Sequence, residues 1–200
     1  MDLESAAPAS SRRSLIGALG AVGLAGAAAL TIARPASAAP ISPTESDKTL
    51  LRQAMELELT AEALYREAID AGLSDVAGEL AVVFAENHVT YADKIAGGAG
   101  FSASTRNEEV FAQLQSAFAT SDAAAFAEAA VGLENTAAAT HTALLAEYES
   151  LKAKRVTASI IVVEARMATV LTDLGGNASN LDDIFEPAAV ALELAGGAAS

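Results

Sequence analysis

Apolar side chains recur at intervals of three and four along residues 51–174, the spacing at which a helix buries one stripe and leaves its other face to water. Four long helices follow from it. The first takes its N-cap chemistry from Thr44, Ser46 and Asp47, carries Leu51, Met55, Glu58, Glu62, Tyr65 and Ile69 on one stripe, and ends at Gly72. The second starts from Ser74, turns Leu80, Phe84, His88, Tyr91 and Ile95 inward, and stops at Gly97-Gly98. A break of only residues 71–74 makes these two antiparallel neighbours. The third follows Ser121-Asp122 and carries Phe126, Ala130, Glu134, Ala137, His141, Leu145 and Tyr148. The fourth follows a charged link at Lys152, Lys154 and Arg155 and carries Ile160, Glu164, Met167, Leu171 and Leu174 before Gly175-Gly176. Residues 99–121 form a connection containing a short amphipathic helix through Val110, Phe111, Leu114 and Phe118. The one strand-like run, residues 160–163, keeps helical spacing on both flanks. The expected fold is all-α, an antiparallel four-helix bundle over residues 47–176 with helices about 33–40 Å long and a long crossover between the second and third. Residues 177–200 form a tail with one further short helix starting at Pro187.

The buried stripes are not wholly apolar. Glu58 precedes Tyr65 by seven residues in LELTAEALYREAI, and Glu134 precedes His141 by seven in LENTAAATHTALL. Seven residues make nearly two turns, so each pair shares a face that is otherwise apolar. A carboxylate on such a face needs a metal, a hydrogen bond or a proton, because burying the unpaired charge costs several kcal/mol. A chain that repeats the pattern is building a site.

Composition narrows the chemistry available to that site. The chain has no cysteine and only two histidines, so disulfides are excluded and any nucleophile–base arrangement would have to use His88 or His141. No G-x-S-x-G or phosphate-binding glycine loop supports one, since Gly97-Gly98-Ala99-Gly100 follows a helix. A formal charge of −14 argues against nucleic acid and anionic lipid as partners and favours cations.

Residues 1–38 read as an address. A polar start, Arg12-Arg13 in SRRSLIG, an apolar stretch over residues 15–32 and Ala36-Ser37-Ala38 before Ala39 resemble a twin-arginine export signal with an A-x-A cleavage site. The rival is a retained membrane helix, which eighteen residues could just form, but glycine and alanine make the stretch only weakly hydrophobic. Cleavage would remove Arg12, Arg13 and Arg34 with Asp2 and Glu4, making the protein more negative by one charge and leaving it free of the membrane. The expected destination lies across the cytoplasmic membrane. Residues 39–46 then serve as a proline-bearing linker.

Over residues 50–174 the chain resembles the exported ferritin-like domain proteins of bacteria. LRQAMELELTAEALYREAI is similar to that family's first helix around the glutamate and tyrosine, and VVEARMATVL to its Glu-x-x-His helix. In di-iron members two helices give one glutamate each, and the other two give a glutamate and a histidine three residues on. Carried over by position, the resemblance implies Glu58, His88, Glu134 and Glu164 as ligands. Two members of the set are missing, because Ala85 stands three residues before His88 and Met167 three residues after Glu164. His141 adds an imidazole on the third helix, and Tyr65, Glu62 and Met167 surround the site.

Three carboxylates and one or two imidazoles suit iron, manganese or zinc at a mononuclear or asymmetric dinuclear site. By resemblance the metal is Fe or Mn, with redox activity at it. The alternative is a metal-free structural or binding module whose polar groups satisfy one another. A copper-binding variant would use Met55, Met167, His88 and His141. The sequence leaves homo-oligomerisation open.

Overall fold

The computed structural model describes residues 38–177 and 189–194. The export signal and the start of a helix at Pro187 lie outside the described residues. Among those described there are five α-helices and no strand: α1 Glu45–Asp70, α2 Asp75–Ala99, α3 Glu108–Phe118, α4 Ala123–Glu147 and α5 Leu151–Leu174. Residues 189–194 are non-helical.

Four of the five helices begin where a side chain accepts from one of their free N–H groups, whereas Ser74 at the N-cap of α2 makes no such bond. Thr44 caps α1 through a reciprocal box: its hydroxyl accepts from the Asp47 N–H at 3.2 Å, while Asp47 Oδ2 accepts from the Thr44 N–H at 3.1 Å. Asn107, Asp122 and Ser150 cap α3, α4 and α5 by accepting from the backbone N–H groups of Val110, Ala125 and Ala153, without the reciprocal bond. Lys152, Lys154 and Arg155, expected to precede the last long helix, therefore lie inside its first turns.

Asp47 does more than cap. Fully buried, it also accepts the backbone N–H groups of Glu149 at 2.7 Å and Ser150 at 3.0 Å, tying the start of α1 to the α4–α5 turn. Burial pushes its carboxyl up, but hydrogen bonds from Ser150, Glu149 and Thr44 outweigh this and hold it below the usual carboxylate range. Asp47→Ala should lower unfolding free energy by about 2–4 kcal/mol, since one cap is lost and two buried donors are stranded. A urea titration checks this.

Gly97 and Gly98 do not end α2. The helix runs to Ala99 and is stopped by Gly100, whose φ of 84° is the left-handed conformation that lets the chain leave the helix. Glycine breaks a helix where the backbone must leave it, and at positions 97 and 98 it does not. A Cβ at Gly97 would meet nothing within 4 Å. Gly97→Ala is expected to stabilise the protein by about 0.5–1 kcal/mol, read as a raised denaturant midpoint.

Two apolar clusters stack along the bundle. One contains Leu64, Tyr65, Phe84, Phe118, Phe126, Met167 and Leu171; the other contains Leu51, Met55, Tyr91, Ile95, Leu144, Tyr148 and Ile160. Each long helix passes through both, α1 and α5 in one direction and α2 and α4 in the other. The connection bearing α3 carries the chain back along the bundle from the end of α2 to the start of α4, and α3 packs on α1 and α4. The Asn107 N–H pins the head of α3 to Thr60 Oγ1 of α1 at 2.9 Å. This is the expected antiparallel bundle with a long crossover.

Candidate metal centre

Between the two apolar clusters each long helix contributes polar side chains: Glu58 from α1, His88 from α2, Glu134 and His141 from α4, and Glu164 from α5. On α1 the layer falls between Met55 and Tyr65, and on α5 between Ile160 and Met167, so helical periodicity alone aligns it. All five residues are at most 1% exposed.

They form one connected chain. The Tyr65 hydroxyl donates to Glu134 Oε1 at 2.5 Å, and the same oxygen lies 3.2 Å from His88 Nε2. His88 Nδ1 is 2.7 Å from Glu58 Oε2, and Glu58 Oε1 is 2.8 Å from His141 Nε2. His141 Nε2 also lies 3.2 Å from Glu164 Oε1, an ion-pair contact whose geometry does not make a hydrogen bond. Glu58 is the hub, with one oxygen on each imidazole.

Electrostatics follow from this placement. Burial pushes the Glu58 carboxyl up, yet hydrogen bonds and charge from His141 and His88 prevail and hold it at about 2. Burial pushes His141 down, but Glu164 and Glu58 prevail and raise it to about 10. His88 is likewise raised well above 6.5 by Glu134 and Glu58 against the effect of burial. Glu164 goes the other way: burial, with Glu58 and Glu134 adding to it and His141 opposing, lifts its carboxyl to about 7. Without a metal, protons on the imidazoles balance the carboxylates.

That balance leaves acceptors unused. Both oxygens of Glu164 and Glu134 Oε2 are buried without a hydrogen-bond partner, as is His141 Nδ1. Buried carboxylate oxygens without partners are rare and fit a cation. Ligand atoms of Glu58, His141 and Glu164 lie within 4.8 Å of one another. Two ligands about 2.1 Å from one ion stand at most about 4.2 Å apart, so a small side-chain adjustment closes all three on a single centre. This cluster could hold a metal.

A family model for the ferritin-like domain matches residues 46–177, covering all four long helices. The chain belongs to the ferritin-like domain family. No curated protein and no solved structure matches the chain.

Within this ferritin-like domain the sequence-derived candidates separate into groups. Glu58, His141 and Glu164 surround one point, while His88 and Glu134 flank it, joined to Glu58 and Tyr65 by hydrogen bonds. Tyr65 stacks on His88 with ring centroids 5.6 Å apart and is packed edge-on by Phe84, Phe118 and Phe126. Burial, with Glu134 adding to it, pushes its hydroxyl well above 10, so it remains a donor. Glu62 is not drawn in: its carboxylate pairs with exposed Arg66 one turn on. Ala85 and Met167 are buried in the same apolar cluster as Tyr65. Met55 belongs to the other cluster, so the two thioethers of the copper reading lie on opposite sides of the polar layer.

The sequence pattern missed one feature, a cavity of about 340 Å³ opening onto the layer between α1, α3 and α4. Its only sequence signal is small residues on α4, Ala129, Gly132 and Ala137, where a packed bundle would carry larger ones.

Proposed function

We propose that this is an exported ferritin-like protein whose bundle holds one iron or manganese ion between Glu58, His141 and Glu164. The observation that carries the reading is Glu164, fully buried with neither oxygen hydrogen-bonded, beside two further ligands of matching chemistry. A single ion is favoured over a pair because the positions that would complete a second set of ligands are occupied by Ala85 and Met167, both in apolar packing. Bound iron or manganese would supply one-electron redox chemistry. Around it, His88 orients Glu58, Tyr65 holds Glu134, and the apolar clusters close the layer at both ends of the bundle. The export half of the reading rests on Arg12-Arg13, the apolar stretch and Ala36-Ser37-Ala38.

The second reading, a metal-free module, is favoured by the unbroken contacts from Tyr65 to Glu164, which show how far the layer can satisfy itself with protons alone. Metal analysis separates the two. Untagged protein recovered from the exported fraction should begin near Ala39 and carry about one Fe or Mn per chain, lost in Glu164→Ala and retained in Tyr65→Phe. Metal-free protein from metal-replete cells would sink the first reading, and an intact N-terminus retained in the cytoplasm would sink export.

A further inference from the structure

The cavity beside the polar layer has walls that the metal reading does not use. The apolar ones include Leu57 and Ala61 of α1, Val110 and Leu114 of α3, Leu133 of α4, and Leu192 of the C-terminal segment, with Gln113 and Glu128 among the polar residues beside them. That segment is anchored, since the Leu192 N–H donates to Thr140 Oγ1 at 3.0 Å. The inner end is polar: Glu58, His141 and Glu164 line it, and Glu164 brings two buried oxygens with no donor. A volume of about 340 Å³ falls in the range of small-molecule sites, which combine apolar walls with a few polar groups that fix orientation.

We propose that this cavity binds a neutral apolar alcohol, with its aliphatic or aromatic body against the leucine walls and its hydroxyl donating to Glu164. The hydrogen-bonding capacity of the head group decides the class. A carboxylate head can only accept and would leave both Glu164 oxygens without a donor, whereas a hydroxyl supplies the donor that Glu164 lacks. Capture goes beyond the metal reading, because the walls bind the apolar body whether or not an ion is present.

Calorimetric titration of the exported protein with 1-decanol, in metal-free and metal-loaded forms and with decanoate as the comparison, tests this. Decanol should bind, and decanoate should bind at least about tenfold more weakly to the metal-free form. Gly132 lines the cavity, and a Cβ there meets nothing within 4 Å, so Gly132→Trp can fill the space. It should weaken decanol binding by about tenfold or more while metal content stays unchanged. Should that variant fail to fold, Ala137→Leu narrows the same space from five residues along the helix. Absence of decanol binding in both forms would overturn the proposal, as would affinity unaltered in the folded plug variants. Decanol binding to protein that takes up no metal would overturn the metal reading and leave this one standing.

Discussion

Glu58→Ala is expected to destabilise the metal-free bundle by about 3–5 kcal/mol, the largest effect of any single substitution in the polar layer. Glu58 is the one group bonded to both imidazoles, at 2.7 and 2.8 Å, in a layer at most 1% exposed. Both imidazoles are held protonated by their carboxylates, so removing the hub leaves buried positive charge facing a cavity where an anion had been. A domain of this size is stable by only about 5–15 kcal/mol, so the variant should lose a large part of its denaturant resistance. The diagnostic measurement is a double-mutant cycle with His141→Ala. If the loss comes from an orphaned charge, the double variant will be less destabilised than the two single losses summed. Strict additivity would refute that account. Glu62→Ala offers the contrast: its partner Arg66 is exposed, and the change should stay within about 0.5 kcal/mol.

That contrast also marks what could be read from the sequence. Glu58 and Glu62 sit one turn apart on the same stripe, and periodicity cannot tell them apart; only packing against α2 and α4 puts one in the layer and leaves the other at the rim. The four long helices, the crossover and the shared level of Glu58, His88, Glu134, His141 and Glu164 were legible because they follow from a repeat of 3.6 residues. Finer positions were not. Leu144 rather than Leu145 is buried, a difference of 100° that a stripe of alanines around it does nothing to fix. The capping hydroxyl of Ser150, a local hydrogen bond, starts α5 before the lysines.

The grouping of ligands belongs to the same category. Glu134 and His141 share a helix face, yet His141 joins Glu58 and Glu164, while Glu134 is held by Tyr65 and His88. Nearly two turns along α4 separate their backbones by about 10 Å, so their side chains meet different partners within the layer. The cavity was illegible for another reason: it is volume left over between helices, and the small residues of α4 that leave it look like the alanines found all along that helix.

Stability of the metal-free protein is expected to peak at about pH 4.5, to fall in acid, and to decline on the alkaline side from about 4.5 onward as Glu164 and then His141 lose their contributions. On the acid side Glu58 is held at about 2 against its usual 4.5, so its contribution is complete above 4.5 and disappears as pH drops toward 2. Asp47, also lowered, adds to the loss in acid. On the alkaline side His141 is raised from 6.5 to about 10, so its contribution is complete below 6.5 and drains away as pH rises toward 10. Glu164, raised from 4.5 to about 7, has the same sign: its neutral form suits burial, so its contribution is complete below 4.5 and is lost as pH rises toward 7. Metal reverses the alkaline limb. A cation replaces the protons on Glu164 and His141, so its binding strengthens over the range in which the metal-free form weakens. Melting curves with and without a chelator should therefore diverge from pH 6 to 9, the metal-free transition falling and the gap to the metal-loaded one widening. A metal-free midpoint that is flat or rising over that range would show that the imidazoles are not held protonated by the carboxylates around them. A gap that does not widen would show that any bound ion does not compete with those protons.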